Sequence, residues 1–145
     1  MFKSIREVNI AVRNLDDAVK AFSSRLGLET SSFNEDPRPP VQSRSATFPI
    51  GESCLALMES TAQGSPIDRF LKWRGEGLFS VSLQVRNLEE TTMHLRQRGV
   101  QLILNNPMLF HEFVAYDRSY ALAKMNFIRP SSLHGVLIEV QELVQ

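Results

Sequence analysis

Two glutamates lie on predicted strands at positions where acid–base chemistry could be carried out. Glu7 begins the segment EVNIAV, and Glu139 lies within VLIEVQ. Both segments have apolar residues at every second position, which is the pattern of a β-strand with one packed face. Each glutamate is therefore predicted on the opposite face of its strand. Two carboxylates close together do not both ionise easily, so one keeps a proton and can take part in acid–base catalysis.

The segments that carry these residues occur twice in the chain. VNIAVRNLDDA begins at Val8 and VSLQVRNLEET begins at Val81, an offset of 73 in a chain of 145 residues. Because the offset is close to half the chain, the sequence predicts two fused copies of one module. Later in the copies, Leu55-Ala56-Leu57 matches Ile138-Glu139-Val140 at an offset of 83. The second copy therefore contains an insertion of ten residues, most simply within Pro107–Leu122.

Each copy is predicted to fold as β-α-β-β-β. The helix of each copy begins at an asparagine cap, Asn14 or Asn87, and ends at a glycine. Ser65 is predicted to cap a short connecting helix. The remaining predicted strands are Ser43–Phe48, Ser53–Glu59, Gln101–Leu104, Leu122–Phe127 and Val136–Gln141. We assign one α+β domain to residues 1–145, with module one at about 1–60, the connecting helix at 65–74 and module two at about 77–145.

The repeat gives each glutamate a counterpart in the other module. At an offset of 73 Glu7 corresponds to Ser80, and at an offset of 83 Glu139 corresponds to Ala56. Asn9 and Ser82 are predicted on the same faces. Two interpretations stay open: the polar faces meet water, as in many antiparallel sheets, or they line a concave cavity that contains the two carboxylates.

Composition excludes several classes of function. Sixteen basic and sixteen acidic residues give a net charge of zero, so we expect no nucleic-acid partner and no binding to anionic membranes. The single cysteine, Cys54, excludes an intrachain disulfide and a cysteine-based zinc site. The N-terminus lacks the pattern of a signal peptide, and nowhere do 18 apolar residues run together. We expect a cytoplasmic protein that acts on a small molecule.

The insertion holds a second group of candidate residues. Its segment LFHEFVAYDRSY contains His111, Phe113 and Tyr116 among other aromatic residues. One interpretation is a long hairpin whose aromatic side chains pack on the core or on a second subunit. The other is a lid over a ligand, in which case His111, Glu112 or Tyr116 reaches the chemistry.

Three stretches of the chain resemble the vicinal oxygen chelate superfamily, which includes glyoxalases, bleomycin resistance proteins and dioxygenases. They are NIAVRNLDDAVKAFSSRLGLE, SPIDRFLKWRGEG and SSLHGVLIEV, and within the superfamily they are most similar to methylmalonyl-CoA epimerases. The resemblance implies two tandem βαβββ modules that form a curled, eight-stranded mixed sheet around a cleft. It also implies a homodimer.

The resembling family binds a divalent metal through four side chains. Carried over to this sequence, the four positions are Glu7, Ala56, Ser80 and Glu139. Ala56 has no ligand atom and Ser80 is a poor ligand, so we expect no metal cofactor bound in the family's manner. The two glutamates with water in the vacant positions could hold Mg²⁺ or Mn²⁺ weakly. The family's second catalytic glutamate aligns loosely with Pro39 or Pro40, and Glu35 or Asp36 could shift into its place.

The residues and the resemblance together predict an epimerase-like enzyme with a degenerate metal site. Glu139 and Glu7 would move a proton on a small apolar carbonyl or acyl compound, as an isomerase, epimerase or lyase does. Residues expected to contact the substrate are Asn9, Ser80, Ser82, Ala56, His111, Phe113 and Tyr116. One alternative is a non-catalytic small-molecule-binding protein of the resistance type. Another is a divalent-metal-dependent enzyme of the epimerase or glyoxalase type.

Overall fold

The computed structural model describes residues 1–116 and 118–145 of the chain. Their helices and strands, in chain order, are β1 (Phe2–Ala11), α1 (Leu15–Leu26), β2 (Ser32–Asp36), β3 (Ser43–Ile50), β4 (Ser53–Ser60), α2 (Pro66–Arg74), β5 (Gly77–Val85), α3 (Leu88–Gln97), β6 (Met108–Ala115), β7 (Arg118–Ile128) and β8 (Leu137–Val144). The strands belong to one eight-stranded mixed sheet, which confirms the predicted α+β fold class. No helix among the described residues is long and apolar enough to span a membrane.

The chain divides into two compact units. One contains Glu7–Phe79, and the other contains Met1–Arg6 together with Ser80–Gln145. The strand order is β2-β3-β4-β1 in the first unit and β5-β8-β7-β6 in the second. In each unit one parallel pair, β1 with β4 or β5 with β8, is followed by two antiparallel pairs. Each unit therefore has the β-α-β-β-β arrangement predicted for one module.

The parallel pairs of the two units have the same register. Asn9 lies opposite Ala56 in β1 and β4, and Ser82 lies opposite Glu139 in β5 and β8. The two pairs are related by the offsets of 73 and 83 found in the sequence. Because a slip of one residue would move every side chain to the other face, the shared register confirms the repeat and puts equivalent residues on equivalent faces.

Helices cover the apolar face of the strands in each unit. The buried core residues of the first unit are Val12, Leu15, Ala46, Phe48 and Leu57, and those of the second are Val85, Leu88, Leu95, Ile128 and Val140. The predicted helix caps are confirmed: side-chain oxygens of Asn14, Ser65 and Asn87 accept hydrogen bonds from the backbone three residues later, at 2.9–3.0 Å.

In each unit, a glutamate on the last strand accepts a hydrogen bond from the N-terminal turn of the helix that follows the first strand. Glu59 on β4 accepts a hydrogen bond from the backbone N–H of Leu15 at 3.1 Å, and Glu142 on β8 accepts one from Leu88 at 2.8 Å. These N–H groups belong to the first helical turn, where no intrahelical acceptor exists. The two glutamates are related by the offset of 83, so the repeat extends to the bond that ties helix to sheet.

The structure corrects one predicted strand, adds two strands that were not predicted and refines the position of the insertion. Gln101–Leu104 makes only an isolated bridge between Leu102 and Ile128, whereas β2 and β6 were not predicted as strands. Thr47 lies opposite Ala56 and Phe127 lies opposite Glu139, so β3 and β7 are related by an offset of 80. The offset of 80 is seven more than the 73 that relates β1 to β5, and three less than the 83 that relates β4 to β8. Seven added residues therefore precede β7, in and near the β6–β7 hairpin, and three follow it.

Candidate functional site

The polar face of the second unit is formed by alternating residues of β5 and β8. Ser80, Ser82 and Gln84 alternate along β5, and Glu139 and Gln141 alternate along β8. Ser82 and Gln141 are completely buried, and Ser80 is 8% exposed. The interpretation that this polar face meets water therefore fails at its centre. Buried polar side chains in such a position are kept for hydrogen bonding or for function.

Glu139 lies at the middle of this face. It is half-buried, and its nearest cross-strand partners are Ser82 on β5 and Phe127 on β7. A carboxylate flanked by a hydroxyl on one side and an aromatic ring on the other has access to a proton donor and to an apolar surface. This is the setting in which a carboxyl group exchanges protons with an organic molecule.

Gln141 continues the same face and makes contact with the β6–β7 hairpin. Its amide nitrogen donates a hydrogen bond to the hydroxyl oxygen of Tyr116 at 3.4 Å. Its carbonyl oxygen, Oε1, is buried without a hydrogen-bond partner. The guanidinium carbon of Arg6 lies 3.8 Å from the centroid of the Tyr116 ring, a cation–π contact. Tyr116 is thus held from two sides.

The other candidates from the insertion are placed differently. His111 is exposed, and its partner Leu122 pairs with Val144, so its register puts it on the sheet face opposite to Glu139. Phe113 is half-buried, with its ring 5.7 Å from that of Phe110 and 6.4 Å from that of Tyr120. The hairpin therefore brings Tyr116 to the polar face and leaves His111 away from it. Position 117, which lies within the predicted insertion, is outside the described residues.

The candidates of the first unit share a face of their own. Glu7 is half-buried and lies opposite Cys54, and Asn9 lies opposite Ala56. Asn9, Cys54 and Ala56 are 3–4% exposed, and Thr47, the neighbour of Ala56 on β3, is equally buried. This face therefore has the buried amide of Asn9 at the position equivalent to Ser82, and the carboxylate of Glu7 at the position equivalent to Ser80.

Comparison with known proteins identifies the family. Residues 6–115 match the family model described as the Glyoxalase/Bleomycin resistance protein/Dioxygenase superfamily. The chain belongs to this superfamily. An uncharacterized protein of Bacillus subtilis, YqjC, is 28% identical over 135 residues, which span 93% of this chain and 89% of that protein.

Solved structures of this superfamily share the fold along the whole chain. Methylmalonyl-CoA epimerase from Mycobacterium tuberculosis is 27% identical, with a TM-score of 0.85 over 99% of this chain and 90% of that one. The Streptomyces coelicolor methylmalonyl-CoA epimerase in complex with 2-nitronate-propionyl-CoA has a TM-score of 0.86 with both chains fully covered. At 22% identity the second comparison shows a common fold.

The metal-binding positions of the superfamily do not fit a metal in this chain. The Cβ of Ala56 is the end of its side chain, so this position supplies no ligand, and Ser80 offers only a neutral hydroxyl. Among residues 1–116 and 118–145, no three His, Cys, Asp or Glu side chains come together as a metal site. The chemistry considered below is therefore derived from protein side chains alone.

The segment aligned with the superfamily epimerases' second glutamate is occupied by a local ion pair. Asp36 accepts hydrogen bonds from the Arg38 backbone at 2.9 Å and from its Nε and Nη2 at 3.0 and 2.9 Å. Burial acts to raise the pKa of Asp36, but the hydrogen bonds and charge of Arg38 outweigh it and hold that pKa below its ordinary value. A carboxylate with a lowered pKa is a weak base, so Asp36 is not suited to take a proton from carbon.

Two residues that contact Tyr116, Gln141 and Arg6, were not among the predicted site residues. Gln141 gave a usable signal, because it follows Glu139 by two positions on the same strand and therefore shares its face. Arg6 gave none, since a single arginine near the start of a strand is typical of a solvent-exposed residue. Its contact with Tyr116 depends on the β6–β7 hairpin, which is distant in sequence.

Proposed function

We propose that this member of the superfamily catalyses proton transfer at a carbon next to a carbonyl group, in a small, mainly apolar acyl or carbonyl compound. Glu139 is the proposed proton acceptor. The reaction class is epimerisation, isomerisation or elimination, and it proceeds without a metal in the superfamily's position. The likeness to the Mycobacterium tuberculosis epimerase supports an acyl thioester as the first compound to try.

One observation carries this proposal. Glu139 is the carboxylate of a polar face whose other central residues, Ser82 and Gln141, are completely buried. Burying a polar side chain costs free energy that an apolar side chain of similar size would not cost, so a protein tends to retain such a face only where it is used. Limited access of water also strengthens each electrostatic interaction between the face and a bound molecule.

The same face offers hydrogen-bond donors for the charge that the reaction develops. When a proton leaves the carbon, negative charge moves to the carbonyl oxygen. The hydroxyl groups of Ser80 and Ser82 lie on the face of Glu139 and are suited to donate to that oxygen. A donor placed at such an oxygen typically contributes ~3–4 kcal/mol to the transition state. Glu7, on the first strand, is proposed as a second proton-transfer group.

Hydrogen exchange at carbon tests the proposal directly. Methylmalonyl-CoA and propionyl-CoA are incubated with the protein in D₂O, and deuterium incorporation is followed by mass spectrometry. We expect exchange above the buffer rate, reduced about 100-fold or more in Glu139→Gln, since a general base contributes roughly 10²–10⁴-fold. Glu89→Gln, at an exposed position of α3, serves as the matched control. Full exchange in both Glu139→Gln and Glu7→Gln would show that proton transfer by these carboxylates is wrong.

A small-molecule-binding protein without catalysis is the second candidate. The neighbouring aromatic rings of Phe110 and Phe113 favour it, because rings of this kind bind apolar molecules without reacting with them. In this case an acyl thioester binds without exchange, and Glu139→Gln keeps the affinity within about tenfold, or ~1.4 kcal/mol. Exchange that is lost on treatment with a chelator would instead support the metal-dependent alternative.

A further inference from the structure

The β6–β7 hairpin places a tyrosine hydroxyl on the side of the sheet that carries Glu139. Tyr116 is 8% exposed, and its hydroxyl oxygen accepts a hydrogen bond from Nε2 of Gln141. Gln141 and Glu139 alternate on β8, so their Cα atoms are separated by two residues of strand, or roughly 7 Å. Because Tyr116 acts as the acceptor in this bond, its own proton is directed elsewhere. The hydroxyl thus lies on the side of the sheet that carries the proposed base.

Arg6 strengthens the tyrosine as a donor. Its guanidinium carbon lies 3.8 Å from the ring centroid, and its Nε is buried. A positive charge against the ring stabilises electron density on the phenol oxygen, which makes the O–H group a better hydrogen-bond donor. The contact also fixes the plane of the ring. Tyr116 therefore has little freedom to move away from the position that Gln141 gives it.

The backbone of the hairpin is strained where it presents this side chain. Tyr116 has a φ of 59° and Glu112 a φ of 51°, in the left-handed region that side chains other than glycine seldom adopt. Strain of this kind persists where the surrounding structure holds it in place, and it is concentrated at functional sites.

An unpartnered atom beside the tyrosine indicates that the arrangement is completed by another molecule. Gln141 is completely buried, and its side-chain oxygen Oε1 has no hydrogen-bond partner. A buried acceptor without a hydrogen bond has lost its contact with water and gained nothing in return. A bound molecule with an N–H or O–H group would satisfy it.

We propose that the Tyr116 hydroxyl donates to the substrate oxygen that becomes negatively charged, and that Gln141 is its positioning residue. The inference rests on the proposed function and adds the donor that replaces a metal ion. In the step, the C–H bond breaks, the proton goes to the Glu139 carboxylate, and the electron pair moves into the C–C bond as the carbonyl becomes an enolate. The enolate oxygen accepts the hydrogen bond from Tyr116. Return of the proton from Glu139 to carbon restores the carbonyl and the Glu139 carboxylate.

Two probes separate this role from simple substrate binding. The first, 2-nitronate-propionyl-CoA, is planar and anionic at the carbon next to its thioester carbonyl, as the enolate is, and the second, propionyl-CoA, is neutral and tetrahedral at that carbon. Calorimetry should give Tyr116→Phe an affinity for the nitronate lowered about 10- to 100-fold, with propionyl-CoA changed less than threefold. Gln141→Leu should lower the affinity for both probes, and it should lower the affinity for the nitronate more strongly. Tyr120→Phe, which alters the other buried tyrosine, should leave both affinities unchanged.

A spectroscopic measurement gives a readout that a purely structural role would not move. The chain has two tyrosines, so labelling their ζ-carbons with ¹³C gives two NMR signals, which the two phenylalanine variants assign. The nitronate should shift the Tyr116 signal and leave that of Tyr120 in place. If Tyr116→Phe lowered the affinity for both probes equally, or if the Tyr116 signal did not move in the nitronate complex, the role of the tyrosine would be overturned. The proposed function would be unaffected by either result. Failure of the wild-type protein to bind either probe would overturn the proposed function and this inference with it.

Discussion

Replacing Glu142 by alanine should destabilise the protein through the link between β8 and α3. The carboxylate accepts a 2.8 Å hydrogen bond from the backbone N–H of Leu88 and lies 3.4 Å from Nζ of Lys124. The Glu142 side chain is only 12% exposed, and Leu88 is 2% exposed, so water cannot replace the lost acceptor. A hydrogen bond to a charged group contributes about 1.5–3 kcal/mol, and a negative charge at a helix N-terminus adds about 0.3–1 kcal/mol. The expected loss is about 2–3 kcal/mol.

Urea unfolding followed by circular dichroism measures this loss, and the midpoint of thermal unfolding should fall by roughly 6–12 °C. Glu142→Gln keeps an acceptor oxygen and should lose only about 1 kcal/mol, the part that depends on charge. Glu89→Ala is the matched control, since it removes an exposed carboxylate from the same first turn of α3. Its expected effect is about 0.5 kcal/mol. Equal losses in Glu142→Ala and Glu89→Ala would refute the reasoning, because the buried hydrogen bond would then contribute nothing beyond the helix dipole.

Three further predictions concern the first unit. The pKa of Asp36 is lower in the folded protein than its unfolded value of 3.8, so the ion pair with Arg38 stabilises the fold above pH 3.8. This stabilisation is lost as the pH falls through the pKa of the folded state. Asp36→Asn should therefore flatten the acid limb of a curve of stability against pH. An unchanged acid limb would contradict it. Gly27→Ala should cost about 1 kcal/mol in urea unfolding, because φ is 67° at this helix cap and no atom crowds the added Cβ. Phe48→Ala should cost about 3–5 kcal/mol, since the ring is completely buried and stacks at 6.0 Å on Phe22; a loss below 1 kcal/mol would mean that the core refills the cavity.

The repeat and the central strands could be predicted because their signals are local. Strand alternation around Val8 and Val81, with asparagine caps shortly after, depends only on neighbouring residues, and the structure has both features. The same alternation placed Glu139 on a polar face. What alternation could not give is whether that face meets water, because burial of Ser82 depends on strands and loops far away in sequence.

The edge strands and the tyrosine site could not be predicted for related reasons. Ser32–Asp36 forms β2 with three exposed residues, so no apolar alternation marks it. Gln101–Leu104 has apolar residues at three of its four positions, yet it makes only an isolated bridge to β7, where Met108–Ala115 is the paired strand. The contact of Arg6 with Tyr116 joins residues 110 positions apart in the chain, and a single sequence contains no signal for such a pair.

The shared register of the two units has a consequence for how chemistry changes in a duplicated fold. Backbone pairing has been kept residue for residue at the positions of Asn9 with Ala56 and Ser82 with Glu139, although none of the side chains is the same. After a duplication, each half can lose or gain a reactive group by a single codon change, since the amide groups of the backbone, and not the side chains, hold the strands in line. Evolution could therefore exchange one reaction for another in this scaffold without passing through an unfolded intermediate sequence.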